Sequence, residues 1–475
     1  MLSKRTKIVA TISDRNCEVG FIKELYEAGM NVVRLNTAHQ SFSDSLKVIQ
    51  NVRKVSDRIP ILVDTKGPEI RTTQTNGDIF LTQGDKILFK GCPDEVSTDK
   101  CICTSYSQFV EEVPVGVKIL IDDGEIAFKV LSKSINYLEC EILNNGKVGS
   151  RKSINIPGVS VALPSLTSKD IEYIKFAVDQ NVAFIAHSFV RSKQDVIDIQ
   201  NILDNYGSDV RIIAKIENQQ GVDNIDEILD HAYGIMVARG DLGIEIPAER
   251  IPSIQKMLIK KCIARRKPVI VATQMLYSMI HNPRPTRAEV SDVANAVFEG
   301  TDAIMLSGET AFGKYPVDAV KTMSRIAMEV EMVKRAFKEP SDKGLQNKIS
   351  GHLAKAAIEA TSKLPVKCVI ADSTQGNTIR NLAAFRGKLP ILAFCYEKKL
   401  MRVLSLSYGV YTFYIKKRNS TDEFYRIITE ELLNAGVVDN NDLIVVLAGN
   451  FGPGGGASFI EISTIEGLAS RAAKK

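Results

Sequence analysis

Apolar residues in the first two thirds of the chain fall into eight short runs, at 7–12, 32–38, 61–66, 183–189, 212–217, 234–241, 268–274 and 303–309, each rich in Val, Ile, Ala or Leu. Runs of this length and composition suit strands buried on both faces. Segments with helical spacing or turn signals follow them, as at 17–28, 44–53, 168–179 and 251–265. Eight repeats of strand then helix predict an α/β chain built on a TIM (β/α)8 barrel. A doubly wound open sheet is the competing arrangement, and no glycine-rich fingerprint follows the first run to support it.

Polar residues gather at the C-terminal ends of these runs, the face on which such barrels carry their chemistry. In chain order they are Arg34 and Asn36, Asp64 and Lys66, Ser188 and Arg191, Lys215 and Glu217, Arg239 and Asp241, Thr273 and Gln274, and Ser307 and Glu309. In 211–218, R-I-I-A-K-I-E-N, the apolar run is broken only near its end by Lys215 and Glu217, which two-residue spacing puts on one face. One charged strand end can be a surface ion pair. Seven of eight predict a site.

More than a hundred residues separate the third and fourth runs, far beyond an ordinary connection. Within 71–158, short β-like pieces (79–81, 86–89, 118–121, 127–131, 138–142) alternate with Gly-Asp, Asp-Gly and Asn-Gly turns, which predicts a small all-β domain, a β-barrel, placed as a lid over the mouth. The catalytic barrel then takes 1–70 and 159–337. A polar linker at 338–344 leads into a C-terminal α/β domain, 345–475, with a helix at 350–363 and strands at 368–371, 391–394 and 443–447. Its glycine-rich stretch 448–457 and the loop 372–378 could hold a phosphate on backbone N–H groups, as an effector site, though ordinary turns account for both equally well.

Charge and cysteine content narrow the class. The 475 residues carry 61 Lys and Arg against 56 Asp and Glu, a net charge of +5 too mild to point to nucleic acid. The eight cysteines are scattered, and the close pair Cys101 and Cys103 is tighter than zinc ligands usually are, so reduced thiols in a cytoplasmic protein are expected. No stretch is apolar for long enough to target or anchor the chain, so no membrane partner is expected.

Glu217 and Asp241 end neighbouring runs, so two carboxylates converge without His or Cys nearby, which favours Mg2+ or Mn2+ over zinc. Of the five histidines only His39, beside Asn36, falls near the mouth. Gly240 permits close approach of the backbone, whose N–H groups could hold a substrate carboxylate next to Asp241. Lys215 and Arg34 suit a phosphoryl group bridging to that ion, with Thr273 able to hydrogen-bond across the pocket.

Seven stretches, M-N-V-V-R-L-N at 30–36, D-T-K-G-P-E-I-R-T at 64–72, I-A-K-I-E-N at 213–218, G-I-M-V-A-R-G-D-L-G-I-E-I-P at 234–247, A-T-Q-M-L at 272–276, P-R-P-T-R-A-E at 283–289 and I-M-L-S-G-E-T at 304–310, make nearly the whole chain resemble the pyruvate kinase family. The resemblance implies transfer of the phosphoryl group of phosphoenolpyruvate to ADP, giving ATP and pyruvate, and commonly a homotetramer with a regulatory C-terminal domain. It also implies roles. Lys215, helped by Arg34, would stabilise the moving group; Glu217 and Asp241 would bind Mg2+; Gly240 and Asp241 would border the substrate; Thr273 would sit near the enolate carbon, with Ser307 and Glu309 extending the proton relay. Asn36, His39, Arg71 and Lys152 would contact the nucleotide, and Asp122 or Asp123 would meet Arg34 when the lid closes. Asn36, Asp64 and Thr65 would bind K+, although Ala38 stands where the family's serine hydroxyl is expected; Glu69 matches the members that need a monovalent cation. The loop 11–16, T-I-S-D-R-N, departs from the family's Gly-Pro turn, which leaves the adenosine contacts open. A metal-dependent lyase acting on an oxo acid would share the enolate chemistry, but the lid, Lys152 and the Glu69 motif argue against it. Retention of Lys215, Glu217, Asp241 and Thr273 together argues against a catalytically silent sensor.

Overall fold

The structure, a computed structural model, describes residues 4–333, 340, 345, 347–418, 420–449 and 457–472. Eight parallel strands, Lys7–Thr11, Val32–Asn36, Ile61–Asp64, Phe184–His187, Arg211–Ile216, Gly234–Ala238, Val269–Ala272 and Ala303–Leu306, close into a barrel in sequence order. Alternation sorts their side chains. Ile212, Ala214 and Ile216 join the cluster between strands and surrounding helices, whereas Ile213 joins the barrel interior with Val9, Val32, Leu62 and Met236. The inward parity that begins with Ile213 continues through Lys215, and the one that begins with Val32 continues through Arg34. The strands are shorter than the apolar runs: the run at 234–241 ends as a strand at Ala238, and Asp241 lies in the first turn of the helix Arg239–Glu245.

Four outer helices begin with reciprocal capping boxes, Ser41 with Asp44, Thr167 with Asp170, Ser192 with Asp195 and Thr286 with Glu289. Each such cap is worth about 1 kcal/mol. Asp170 also accepts the N–H groups of Lys66 and Gly67 at 3.0 and 3.3 Å, which fixes the start of the lid connection. Gly67 has φ +72°, and a Cβ there would lie 2.9 Å from both Ser188 and Phe189. Only glycine fits that turn without displacing the loop after the fourth strand.

The lid leaves the barrel through Ile70–Arg71 and returns through Ser153–Asn155, two strands paired antiparallel. In place of a fully laddered β-barrel it forms a seven-stranded sheet, whose two edge strands are joined just past their ends by a single antiparallel bridge between Thr72 and Thr104, plus a separate two-stranded piece. Its core centres on Phe89, Phe109 and Phe128. The expectation of reduced thiols throughout fails here: Cys92 and Cys103 form a disulfide. Parallel pairing of Lys86–Lys90 with Cys101–Cys103 brings the two cysteines to a Cα separation of 5.2 Å, inside the bridging range. Cys101 stays free, as do Cys17, Cys140, Cys262, Cys368 and Cys395.

The C-terminal domain is a five-stranded sheet in the order Val410–Tyr414, Ile391–Cys395, Val366–Ser373, Leu443–Ala448, Phe459–Thr464, the last strand antiparallel. Its first and last strands in that order were not expected from the sequence. The linker at 338–344, apart from Pro340, and residues 450–456 of the glycine-rich stretch lie outside the described residues. In the loop 372–378, Asp372 pairs with Arg418, and Ser373 accepts the N–H of Gly376. The domain seals the barrel floor: Val403 and Leu406 join the interior cluster, Arg386 pairs with Asp302 at 2.6 Å, and Lys7 donates to the Val410 carbonyl. Among the described residues no helix is long and apolar enough to cross a membrane.

Candidate active site at the barrel mouth

The strand Arg211–Ile216 delivers Lys215 to the mouth, where its ammonium makes three contacts: Asp64 Oδ1 at 3.1 Å, Glu217 Oε1 at 2.9 Å and Ser188 Oγ at 2.7 Å. Asp64 sits at the end of the third strand and also accepts Arg34 Nε at 2.7 Å; Arg34 in turn reaches Thr11 Oγ1 at 3.0 Å. Asp64, read from sequence as a K+ ligand, is thus the shared counter-ion of both cations.

Electrostatics follow from this sharing. Burial opposes the charge on Asp64, but Lys215 and Arg34 outweigh it and hold its carboxyl below the usual range. Burial likewise works against the Lys215 ammonium, and Asp64 and Glu217 more than offset it, so its pKa rises and it stays charged at any working pH. Glu217 is 1% exposed, and burial raises it to about 7 even with Lys215 beside it, the nearby Asp241 adding to the rise. Burial raises Asp241 too. Two cations therefore face three carboxylates, and the two that end most protonated, Glu217 and Asp241, are those that a divalent cation would suit. Glu217 Oε2 accepts one further bond, from the N–H of Phe189 at 2.7 Å.

Thr273 stands just past the seventh strand with φ +68°, and Gln274 follows at +53°. Such values are uncommon outside glycine, and rarest for a β-branched residue. Thr273 Oγ1 accepts the N–H of Gly240 at 2.7 Å, which sets Thr273 beside the Asp241 turn. Arg239 holds the strained segment by donating to the Thr273 carbonyl at 2.8 Å, and Asp292 steadies Arg239 at 2.6 Å. Glu309 is buried, and its carboxylate accepts the N–H groups of Ser307 and Leu276 at 2.8 and 3.2 Å, tying together the loops after the seventh and eighth strands.

Between mouth and lid lies a cleft of about 670 Å3 lined by Asp241, Glu69, Arg71, Asp123, Lys152 and Arg191 among others. Lys152 pairs with Asp122 at 2.5 Å and Arg71 with Glu69 at 2.5 Å, so both expected nucleotide contacts face the cleft already paired. Asn36 and His39 lie apart from that lining, Asn36 at the end of the second strand and His39 on the connection after it; His39 is exposed, and Asn36 Oδ1 accepts the N–H of Ala38 at 3.2 Å. Asn36 and Asp64 are register partners on neighbouring strands, and Thr65, next along the chain from Asp64, accepts from Ser188 N at 3.2 Å through its Oγ1. Arg34 meets Asp64 here, and Asp122 meets Lys152.

Sequence reading missed Asp292 and Phe189. Asp292 lies within the helix Arg287–Glu299 with nothing in its surroundings to set it apart. Phe189 matters through its backbone, at φ +56°, which a phenylalanine does not advertise.

The site belongs to a chain with many similar relatives. A family model described as "Pyruvate kinase, barrel domain" matches residues 3–320, and another, "Pyruvate kinase, alpha/beta domain", matches 352–463. A pyruvate kinase of Borreliella burgdorferi is 49% identical over 471 residues, covering 98% of both chains. One of Geobacillus stearothermophilus is 43% identical, covering 99% of this chain and 82% of that one. Among solved structures, a pyruvate kinase from Cryptosporidium parvum superposes with a TM-score of 0.91 at 34% identity, covering 98% of this chain and 96% of that one. With the barrel, the C-terminal domain and the sequence over its whole length in agreement, the chain belongs to the pyruvate kinase family of phosphotransferases.

Proposed function

We propose that the barrel mouth transfers the phosphoryl group of phosphoenolpyruvate to ADP and then protonates the enolate left behind. The observation that carries this reading is an ammonium, Lys215, fixed between Asp64 and Glu217, with Asp241 completing an acidic pair beside it. The bond from phosphorus to the enol oxygen breaks, a bond to the terminal phosphate oxygen of ADP forms, and the enolate gains a proton at carbon to become pyruvate. Lys215 and Arg34 neutralise charge on the moving group. Because Lys215 stays charged, it serves as a fixed cation, and proton delivery falls to the side of Thr273, with Ser307 and Glu309 holding the adjoining loops. Gly240, whose N–H is taken by Thr273 Oγ1, and Asp241 border the substrate. Arg71 and Lys152 reach the nucleotide phosphates as the lid approaches, with Asn36 and His39 on the nucleotide side.

Glu217 and Asp241 would hold a divalent cation, Mg2+ or Mn2+, which would supply Lewis-acid polarisation of the phosphoryl oxygens. Asn36, Asp64 and Thr65 would hold K+ at the neighbouring edge with one ligand fewer than the family pattern, since Ala38 has no hydroxyl. The chain is proposed to work in the cytoplasm as a homotetramer; exposed Phe298, Phe312, Met332 and Val333 on the barrel surface support self-association.

A coupled assay of pyruvate release from phosphoenolpyruvate and ADP with Mg2+, run with and without K+, tests the reading. Pyruvate and ATP should form in equal amounts. Failure of a folded protein to release pyruvate under these conditions would overturn it.

A further inference from the structure

At the edge of the lid sheet, where Lys86–Lys90 pairs with Cys101–Cys103, the chain gathers Cys92, Glu95 and Cys103. The two sulfurs and a carboxylate oxygen lie within 4.8 Å of one another, Glu95 Oε2 standing 4.0 Å from Cys103 Sγ. Cys103 is buried, Cys92 half-buried, and Glu95 closes the group on the solvent side. None of the three lines the cleft between mouth and lid. The backbone holds these atoms in place independently of the bridge between the cysteines. Cys92 opens a turn in which the Glu95 N–H bonds back to the Cys92 carbonyl at 3.2 Å. Gly91, just before it, is packed on the 106–107 backbone, where an added Cβ would lie 2.2 Å from the Ser107 carbonyl oxygen. Cys103 donates its N–H to Ser97 Oγ at 2.9 Å and accepts the N–H of Thr73 at 2.9 Å, while Thr98 and Cys101 exchange both backbone bonds, at 2.8 and 3.3 Å, to close the loop between the two cysteines. Reducing the disulfide therefore leaves two thiols side by side next to a carboxylate.

Two thiolates and a carboxylate make a softer donor set than the oxygen pair of the mouth, and they suit Zn2+ where Glu217 and Asp241 suit a hard ion. Tetrahedral Zn2+, with bonds of about 2.0 to 2.3 Å, needs ligand atoms roughly 3.5 to 3.8 Å apart, a spacing that small side-chain rotations reach from here. We propose that the reduced lid binds one Zn2+ through Cys92 Sγ, Cys103 Sγ and the Glu95 carboxylate, with water in the fourth position, so that disulfide and zinc are alternative ties across the same loop. A dithiol reductant passes two electrons and two protons to the bridge, whose S–S bond breaks to give two thiols while the reductant becomes a disulfide. Zn2+ then displaces both thiol protons to solvent.

Co2+ titration of the full chain, reduced with a phosphine so that no competing dithiol is present, tests this, followed by displacement with Zn2+. One Co2+ per chain is expected to raise a thiolate-to-metal charge-transfer band that Zn2+ abolishes, that excess Mg2+ leaves in place and that the disulfide form lacks. Cys92→Ser and Cys103→Ser should each abolish the band, and Cys101→Ser should keep it. Glu95→Gln should keep the band and weaken Zn2+ binding, measured against a chromophoric chelator, by at least the roughly tenfold that even an outer-shell change costs. In the unaltered reduced chain, Zn2+ should protect Cys92 and Cys103 from alkylation, as mapped by peptide mass spectrometry, a readout that holds even where a serine variant does not fold. Absence of the band in the reduced folded protein, its persistence in Cys92→Ser or Cys103→Ser, its loss in Cys101→Ser, or protection that falls on other cysteines overturns the site. Displacement by Mg2+ assigns the ion to the mouth and overturns it as well, while unchanged Zn2+ affinity in Glu95→Gln overturns the carboxylate ligand.

Discussion

The two ends of the barrel both bury charge, and they balance it in opposite ways. At the floor the surplus is positive. Lys4, Lys7 and Arg386 donate to the side chain of Asn31, the carbonyls of Thr6, Val410, Gly300 and Ala383, and the carboxylate of Asp302, while Glu331 accepts the N–H groups of Arg5 and Thr6. At the mouth the surplus is negative, Asp64, Glu217 and Asp241 against Arg34 and Lys215. Backbone carbonyls are plentiful and can absorb surplus cations without a guest. Surplus carboxylates need N–H groups, and at the mouth Phe189 supplies one to Glu217. The floor's buried lysines, which burial lowers to about 7, can shed their protons and remain pure structure, while the anionic excess at the mouth leaves room for a bound cation.

The largest effect that would sharpen this contrast is on turnover. Lys215→Met should lower kcat about a thousandfold or more while the protein stays folded. Near-normal pyruvate release from that variant would remove the mouth's claim to chemistry. At the floor, Arg386→Met strands the buried Asp302 carboxylate and should cost about 3 to 5 kcal/mol of stability in denaturant unfolding, with kcat of the folded enzyme unchanged. A loss of kcat without loss of stability would make the floor part of the machinery.

The pH response comes next. Burial holds Glu217 at about 7 against an ordinary 4.5, so the folded metal-free protein binds a proton that the unfolded chain has released. Its stability should fall as pH rises from about 4.5 to 7, by roughly 3 kcal/mol from this group, and saturating Mg2+ should flatten that slope. The floor has the opposite sign. Burial lowers Lys4, with Lys7 adding to the effect, and burial also lowers Lys7; both fall to about 7, so stability should rise between about pH 7 and the ordinary lysine value of 10.5. Unfolding measured across both windows, with EDTA and with Mg2+, checks both slopes; a slope at the mouth indifferent to Mg2+ would break the comparison. Smallest is the K+ effect. Replacing KCl with a K+-free, Na+-free buffer should reduce the rate by less than about tenfold, given the hydroxyl missing at Ala38, and an unchanged rate would mean that the mouth needs no second cation.

Much of the mouth was legible because a strand's two-residue period is rigid. Once 211–216 is a strand with Ile213 inside, Lys215 must face inward, and the same parity places Arg34 and Asp64. What escaped has no period to betray it. Asp241 reads as the end of a strand because the run taken as one strand, 234–241, extends past the strand's end at Ala238 into the helix that starts at Arg239. Cys92 and Cys103 meet through the pairing of two lid strands, a tertiary fact their spacing of eleven does not encode. Phe459–Thr464 lies at a sheet edge, only partly buried along its length, so it lacks the continuous apolar run that marks the central strands.

The way the lid is spliced in bears on how the chain assembles. Its two crossings pair with each other, Ile70 with Ile154 and Arg71 with Ser153, so the insertion begins and ends at neighbouring points. The third and fourth staves, Asp64 beside Ala186, can join only by closing a loop of about 120 residues. A lid that has already folded shortens that loop to about 35 effective residues and cuts the entropy of closure by about 1 kcal/mol. A lid that folds first would ease the ring shut, a service rendered before any substrate arrives.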